Sequence, residues 1–395
     1  MRASDHVWQT SDGFICPGCV EDPYLKAIVE AAATDDEPCS FCGTTPAADF
    51  DVFMESLAVG ISNEFEPSED VLPWDHEIRD SVSPHTHRDI ADEFIYTVSA
   101  AHADEILESI RGGLVEETYL SRTWSRLPRD VAFAESWQEF RDQILHKTRF
   151  VFWAQPDDDT WRHEVPVAIV LEELGHLLVE FGCITTLPAG TRTYRARAHQ
   201  GRDDSRLWGA TDLGTNTPER SVSSTRMSPP GIPLFYGAED INTALAEVSR
   251  ADAREFFTVG QFCTTVPISV LDLARIPEVP SIFDPDLGQW QGEIAFLHDM
   301  VKELCRPVDD RTSSIDYVPT QVFCEYFLRV FDAADIRGLV WPSAATGEGA
   351  RCYALEVPQE DCINPSDSTA DRPQLKLVAD SIAVYQRRTD ELRRL

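Results

Sequence analysis

Apolar residues recur every three or four positions through the first part of the chain, from residue 47 to residue 158. This spacing places them on one face of a helix. The clearest examples are Phe50, Phe53, Met54 and Leu57, and later Trp137, Phe140, Ile144 and Leu145. The pattern therefore predicts an all-α region over residues 47–158.

A further helix is predicted within residues 159–186, where it would connect the all-α region to the rest of the chain. Six apolar residues form one face of this segment. They are Val167, Val170, Leu171, Leu174, Leu177 and Leu178. A Leu-Pro-Ala-Gly sequence at 187–190 then ends the helical pattern.

From Thr191 onwards, short runs of β-forming residues alternate with proline and glycine clusters. The runs are Thr193–Ala196, Pro233–Tyr236, Phe262–Ile268, Gly338–Trp341 and Cys352–Val357. Two helical segments, Thr243–Arg250 and Gln321–Phe331, interrupt them, and an amphipathic helix is predicted over Leu375–Leu395. The mixture predicts an α+β fold with a mixed β-sheet domain over residues 187–395.

Two Cys-x-x-Cys pairs lie in residues 1–46, and nineteen residues separate them. The four cysteines are Cys16, Cys19, Cys39 and Cys42. This spacing is typical of a four-thiolate zinc site, and so short a segment gains stability from a metal. It predicts a zinc-ribbon-like segment with structural zinc, because four thiolates leave no open position for catalysis. Two disulfides or free thiols are the alternative.

The charge of the chain limits its partners. The 395 residues include 34 basic and 68 acidic side chains, a formal net charge of −34. Such acidity disfavours a nucleic-acid or anionic-membrane surface and suits a protein from a halophilic source. There is no signal-peptide pattern, and the most apolar stretch, Val165–Cys183, contains three glutamates and a histidine. We expect a cytoplasmic protein without a membrane span.

A positive segment interrupts this acidic chain between Arg192 and Arg226. It contains seven arginines and four acidic residues. The planar guanidinium group of arginine can donate two hydrogen bonds to phosphate or pyrophosphate oxygens, so the segment predicts a small anionic ligand. Pairing with the chain's own carboxylates is the alternative. A strand here would place Tyr194 on one face and Arg195 on the other.

Further polar residues follow at the ends of predicted elements. A proline-glycine turn leads into a strand that ends at Tyr236, and the next helix carries Thr243 and Glu247 near one face. A later strand ends at Ser343. Because Ser343 lacks the Gly-x-Ser-x-Gly setting of a hydrolase nucleophile, we expect its hydroxyl to bind rather than to attack.

Together these segments resemble the RES domain family. Four sequence blocks carry the resemblance in order: YRAR at 194–197, RMSPPGIPLFYGAED with TALAEV at 226–248, YVPTQ at 317–321, and a strand ending in Pro-Ser at 342–343. They cover about residues 190–358. The family's name refers to an arginine, a glutamate and a serine, which Arg195, Glu247 and Ser343 match. Arg226 and Tyr236 match its second arginine and its tyrosine.

The resemblance implies a fold similar to that of ADP-ribosyltransferases and an activity that degrades NAD+. Phosphorolysis is the implied reaction, with inorganic phosphate as co-substrate and water as the alternative acceptor. Several members are toxins of toxin–antitoxin pairs, so an NAD+-depleting toxin or defence effector, an antitoxin partner and a homodimer are expected. The first 158 residues resemble the extension that precedes RES domains in a HEPN-associated subgroup.

The matched residues suit such a reaction. Nicotinamide is a cationic leaving group in NAD+, and a carboxylate at Glu247 would stabilise the positive charge that develops on the ribose. Arg195 and Arg226 would hold the pyrophosphate, and one of them would orient inorganic phosphate. Substrate contacts are also expected from Tyr194, from Tyr236 stacked on nicotinamide or ribose, and from the Ser343 hydroxyl.

Two other functions stay open on the sequence. Arg141 and His146 resemble the ribonuclease motif of the HEPN helical family, in which paired subunits build a metal-free site. Positions five apart lie about 140° apart on an α-helix, so these two side chains do not obviously converge. A non-catalytic, nucleotide-sensing module is the second alternative.

Overall fold

The chain folds into two compact units in the computed structural model. One contains residues 1–132 and 278–295, and the other contains residues 133–277 and 296–395. These borders differ from the predicted ones at residues 46, 158 and 186. The structure describes residues 7–72, 82–115, 117–125, 127–151, 165–306, 313–346, 349–388 and 391–395. The start of the predicted connecting helix, at 159–164, lies outside this set.

Up to residue 151 the chain is mainly helical, as predicted. The α-helices are α1 (Pro23–Ala32), α2 (Phe50–Glu64), α3 (Ser68–Val71), α4 (His87–Glu93), α5 (Ala103–Gly113) and α6 (Arg129–Asp142). The strands are β1 (Phe14–Ile15), β2 (Ala48–Asp49), β3 (Phe65–Pro67), β4 (His85–Thr86) and β5 (Thr118–Ser121). β1 pairs with β2, and β5 lies between β3 and β4 in a small antiparallel sheet that the helical periodicity did not indicate.

Local chemistry fixes where these helices begin. Asp22 Oδ1 accepts hydrogen bonds of 3.0 Å from the amides of Tyr24 and Leu25, which caps α1. Thr86 and Asp89 form a reciprocal capping box at the start of α4. In α2, Phe50, Phe53, Met54 and Leu57 are fully buried, which confirms the predicted face of that helix.

The core of the first unit includes a segment from much later in the sequence. Phe283 is 1% exposed and packs among the apolar residues of this unit. A Cβ at Gly60 would lie 2.3 Å from the Phe283 ring, so only glycine permits the contact. Asn63 Nδ2 donates a 2.7 Å hydrogen bond to the Ile282 carbonyl. Residues 278–295 are therefore an integral part of the first unit.

From residue 165 onwards, strands alternate with helices. The strands are β6 (Ile184–Leu187), β7 (Arg192–His199), β8 (Phe235–Ala238), β9 (Phe256–Thr264), β10 (Ile268–Asp272), β11 (Gly338–Pro342), β12 (Arg351–Leu355), β13 (Cys362–Ile363), β14 (Leu375–Leu377), β15 (Ala383–Arg388) and β16 (Glu391–Arg394). The helices are α7 (Val170–Glu180), α8 (Ala210–Leu213), α9 (Ile241–Ala251), α10 (Gln291–Cys305), α11 (Ser313–Asp316) and α12 (Val318–Arg329).

The strands of the second unit form one large mixed sheet, which confirms the α+β prediction. Its main path runs β13-β14-β9-β7-β8-β12-β11-β10-β6, with β15 paired to β9 and β16 to β15. β10 pairs with β11 and β13 pairs with β14 in parallel, while the other pairs are antiparallel. The predicted helices over Thr243–Arg250 and Gln321–Phe331 correspond to α9 and α12.

The prediction of a C-terminal amphipathic helix over Leu375–Leu395 is wrong. This segment forms β14, β15 and β16, and the first two of these strands complete the free side of β9. Leu375 and Leu377, two residues apart, are buried in one hydrophobic cluster of the second unit, and Tyr385 and Leu392 pack against another. Pairing with β14 and β15 satisfies the backbone N–H and C=O groups at the edge of β9. A helix in this segment would have left those groups of β9 without partners.

The predicted connecting helix is shorter in the structure than in the sequence pattern. α7 begins at Val170 and ends at Glu180, and its predicted face is buried at Val170, Leu171, Leu174, Leu177 and Leu178. Among the residues that the structure describes, no helix combines the length and the apolar character that crossing a membrane requires.

Candidate active site

One face of α9 holds the turn that follows β11. Thr243, Glu247 and Arg250 are four and three residues apart, so they project from the same side of this helix. Thr243 Oγ1 lies 3.1 Å from Thr346 Oγ1. The Arg250 guanidinium donates 2.9 Å hydrogen bonds to the carbonyls of Ala344 and Ala345. The helix thereby fixes the turn in which Ser343 lies.

The Glu247 carboxylate is fixed by two donors. Ser343 Oγ donates to Glu247 Oε1 over 2.6 Å, and Cys352 Sγ donates to the same oxygen over 3.5 Å. Ser343 is buried, and its Oγ also accepts from the Ala345 amide at 3.1 Å. The structure therefore brings together the predicted glutamate and serine. The serine hydroxyl donates to the carboxylate and so orients it.

Cys352 is a contact of Glu247 that the sequence did not reveal. It stands opposite Trp341 in the β11–β12 ladder, and that register is not encoded in any local motif. Burial and the neighbouring Glu247 carboxylate raise the pKa of the Cys352 thiol, so it remains a neutral donor.

The large sheet opens between β7 and β8. Their ladder contains a single pair, Tyr194 opposite Ala238, and beyond it the strands part. A cavity of about 550 Å³ lies at this opening. Four predicted site residues line it, namely Tyr194, Arg195, Tyr236 and Glu247. Trp208, Arg220, Arg254 and Trp341 line it as well, and the sequence had not singled them out.

Arg195 is the buried cation of this cavity. Its Nη1 donates a 2.8 Å hydrogen bond to the Tyr236 carbonyl across the opening, and its guanidinium carbon is 4.9 Å from the centre of the Phe235 ring. Its Nε is buried and has no hydrogen-bond partner among the described residues. Burial, reinforced by the nearby Arg197, lowers the pKa of Arg195 to about 9. An anion bound here would supply the missing acceptor and the missing negative charge.

Tyr236 is held by its hydroxyl group. The hydroxyl lies 2.8 Å from Thr225 Oγ1 and accepts a 3.0 Å hydrogen bond from the Met227 amide. Burial raises the pKa of Tyr236 to about 12, so the phenol stays neutral. Gln321 Nε2 donates to Ser224 Oγ over 2.8 Å and to the Thr225 carbonyl over 2.7 Å. The glutamine of the YVPTQ block therefore supports the loop that supports Tyr236.

The Arg226 guanidinium is engaged by backbone carbonyls at the end of a helix. Its Nη1 donates to the carbonyls of Leu304 and Arg306 at 2.6 and 3.0 Å, at the end of α10. Its guanidinium carbon is 5.3 Å from the centre of the Tyr317 ring. Arg226 is not one of the described residues that line the cavity between β7 and β8. In the structure it caps a helix end, where a cation is favourable.

The four predicted metal ligands converge in the first unit. Their Sγ atoms all lie within 4.8 Å of one another, with Cys16–Cys42 at 3.4 Å and Cys19–Cys39 at 3.8 Å. Tetrahedral zinc with bonds of about 2.3 Å separates its thiolates by about 3.8 Å. Gly43, with φ of +73°, forms the second tight turn. All four cysteines are free thiols, and the donor set fits a single metal ion.

Arg141 and His146 lie in two consecutive helical segments of different type. α6 ends at Asp142, and His146 belongs to a π-helical turn over Gln143–Lys147. Arg141 forms an ion pair with Glu303, and its Nη1 also donates to Gln138 Oε1 over 3.2 Å. The arginine is therefore engaged by its own unit.

Family models match the chain in two places. The model of HEPN/RES N-terminal domain 1 matches residues 32–158, and the RES domain model matches residues 192–376. The chain therefore contains a RES domain that follows a HEPN/RES N-terminal domain. In this RES protein the second match begins with β7 and includes Arg195, Tyr236, Glu247 and Ser343. No curated protein matches the chain.

Proposed function

We propose that this RES protein degrades NAD+ by cleaving the bond between nicotinamide and ribose, with inorganic phosphate as acceptor. The observation that carries the proposal is the buried Arg195 guanidinium, whose Nε is unpaired, in one cavity with the Glu247 carboxylate. NAD+ brings an anionic pyrophosphate and a ribose that becomes positive as nicotinamide leaves. A cavity lined by four arginines, of which Arg195 is buried, and by a Glu247 carboxylate held by Ser343 suits both groups.

The reaction balances without a general acid. The bond between ribose C1 and the pyridinium nitrogen breaks, and its electron pair stays on nicotinamide, which leaves as a neutral molecule. Glu247 Oε1, held by Ser343, stabilises the resulting oxocarbenium ion. A phosphate oxygen then forms the new bond to C1 and gives ADP-ribose 1-phosphate. With water as acceptor, the product is ADP-ribose and one proton.

The acceptor can be tested by running the reaction in ¹⁸O-labelled water, with and without inorganic phosphate, and identifying the products by mass spectrometry. We expect ADP-ribose 1-phosphate without the label, at a rate that depends on phosphate. Labelled ADP-ribose formed equally fast without phosphate would replace phosphorolysis by hydrolysis. Saturable binding of NAD+ without release of nicotinamide would instead favour the nucleotide-sensing alternative.

Replacement of Arg195 by methionine should separate binding from stability. Because burial already opposes the Arg195 charge, we expect the free energy of unfolding to be at least that of the wild type. We also expect kcat/KM for NAD+ to fall by about 100-fold, since the charge-assisted contact proposed between Arg195 and the pyrophosphate is lost. Arg372→Met is the control, because Arg372 pairs with Asp361 away from this cavity. Unchanged kcat/KM in Arg195→Met would contradict the anion-holding role.

We further propose that the four-cysteine cluster holds structural zinc and that the protein acts as an NAD+-depleting toxin with an antitoxin as partner. The zinc proposal is supported by the sulfur distances, and the toxin proposal by the RES family match. A ribonuclease role for Arg141 and His146 is not proposed, because Glu303 and Gln138 engage the arginine.

A further inference from the structure

The first unit contains a cavity that the proposed reaction does not use. It has a volume of about 950 Å³. Its walls come from the start of α1, the end of α2, the segment that follows α4 and part of residues 278–295. All of these residues belong to the first unit, so the cavity is complete within it.

Aromatic rings form one wall of this cavity. Phe94 is at the centre of the group, with ring centroids 6.5 Å from Phe65, 6.1 Å from Tyr96 and 6.0 Å from Phe283. Tyr96 is stacked on Phe94 and yet 55% exposed. Together with the half-buried Tyr24, it leaves ring surface available to a ligand.

The polar part of the lining is acidic. Its three charged residues are Asp22, Glu64 and Glu93, and none of the described lining residues is lysine, arginine or histidine. Asp22 already caps α1, and Glu93 Oε1 lies 3.2 Å from His85 Nδ1. Burial raises the pKa of Glu64, and the carboxylates of Asp130 and Glu93 raise it further. Among the described lining residues, these three acidic side chains have no basic side chain to balance them.

This combination favours an organic cation over other ligands. Aromatic faces attract ammonium groups, and a nearby carboxylate adds to that attraction. An acidic ligand would be repelled. A bare metal ion is not favoured, because among the described residues only the four cysteines bring three or more ligand atoms within 4.8 Å of one another.

We propose that this cavity binds a small organic cation of the quaternary or alkyl ammonium class. The ammonium group lies against the Tyr96 ring, and Glu64 supplies the opposing charge. The apolar residues contributed by 278–295 cover the body of the ligand. This site is separate from the proposed NAD+ site, and its test does not depend on NAD+ cleavage.

Choline and its uncharged isostere 3,3-dimethyl-1-butanol test the proposal on the full-length chain, by calorimetry or ligand-observed NMR. We expect saturable binding of choline with a Kd in the millimolar range or below, and at least about tenfold weaker binding of the isostere. No saturation up to about 50 mM choline would overturn the proposal, and so would equal binding of the isostere, which would indicate a merely apolar cavity.

Substitutions of residues that line the cavity test where choline binds. Tyr96→Ala and Glu64→Gln should each weaken choline binding by about tenfold, while Tyr96→Phe, which keeps the ring, should bind within about twofold of the wild type. Glu108→Gln is the control, because Glu108 is an exposed acid that pairs with Arg111 on α5 and does not line the cavity. Equal weakening in Glu108→Gln, or none in Glu64→Gln and Tyr96→Ala, would refute the site.

Discussion

Replacement of Glu247 by glutamine is expected to lower kcat for NAD+ cleavage by about 100- to 1,000-fold. Glutamine has nearly the same shape, and its amide oxygen can still accept the hydrogen bond from Ser343 Oγ. The variant lacks only the negative charge that stabilises the oxocarbenium ion. KM and thermal stability should therefore change little, which steady-state kinetics and thermal unfolding can measure.

The control for this variant is Glu255→Gln, at an exposed carboxylate on the same unit that accepts a hydrogen bond from Gln386. We expect wild-type kinetics from it. Ser343→Ala is a second variant, for which we expect a smaller decrease in kcat. It removes one hydrogen bond to the Glu247 carboxylate and should lower kcat by about tenfold, whereas loss of a nucleophile would abolish turnover. A Glu247→Gln variant that keeps most of the wild-type kcat would remove Glu247 from the reaction.

The second large effect is expected in the first unit, from the double variant Cys19→Ser, Cys39→Ser. Wild-type protein should contain about one zinc per chain, and the variant close to none. Zinc supplies about 10–16 kcal/mol of apparent binding energy in small four-ligand sites, which is more than a small fold can lose. The first unit should therefore lose its protection against proteolysis.

Cys263→Ser is the matched control, because Cys263 is a half-buried thiol of the second unit that donates to the Lys376 carbonyl. It should keep both the zinc and the protection. Wild-type protein with no bound metal, and with Cys16, Cys19, Cys39 and Cys42 linked in disulfides, would contradict the zinc assignment.

Local signals in the sequence were sufficient for some elements of this chain. The spacing of Phe50, Phe53 and Leu57 located α2, because burial of one helix face follows directly from a period of 3.6 residues. The two Cys-x-x-Cys pairs brought four thiols together for a similar reason, since each pair lies in one tight turn. The family motifs placed Tyr194, Arg195, Tyr236 and Glu247, and the structure brings these four side chains to one cavity.

Long-range pairing explains what the sequence did not reveal. β15 is a strand because it pairs with an edge of β9 that would otherwise be unpaired. The local sequence of Ala383–Arg388 does not indicate this pairing. Cys352 reaches Glu247 through the register of β11 and β12. Phe283 belongs to the first unit although it lies within the RES match, because Gly60 leaves space for its ring.

Arg226 shows that a family motif in the sequence does not determine the contacts of its side chains. Its position next to the PPGIP sequence indicates a family motif, but a motif does not state which neighbours the side chain has. In the structure its Nη1 is engaged by the carbonyls of Leu304 and Arg306, nearly eighty residues away in the chain. Four arginines line the cavity with Glu247, namely Arg195, Arg197 and the unpredicted Arg220 and Arg254.

We propose that the cavity between β7 and β8 cleaves NAD+. The most direct test is chromatographic measurement of nicotinamide released from NAD+ by the purified full-length chain in phosphate buffer, with Glu247→Gln measured beside it. We predict release of one nicotinamide for each NAD+ consumed by the wild type, and a rate for Glu247→Gln that is lower by at least about 100-fold. Wild-type protein that binds NAD+ and releases no nicotinamide, or equal rates for the two proteins, would contradict the claim.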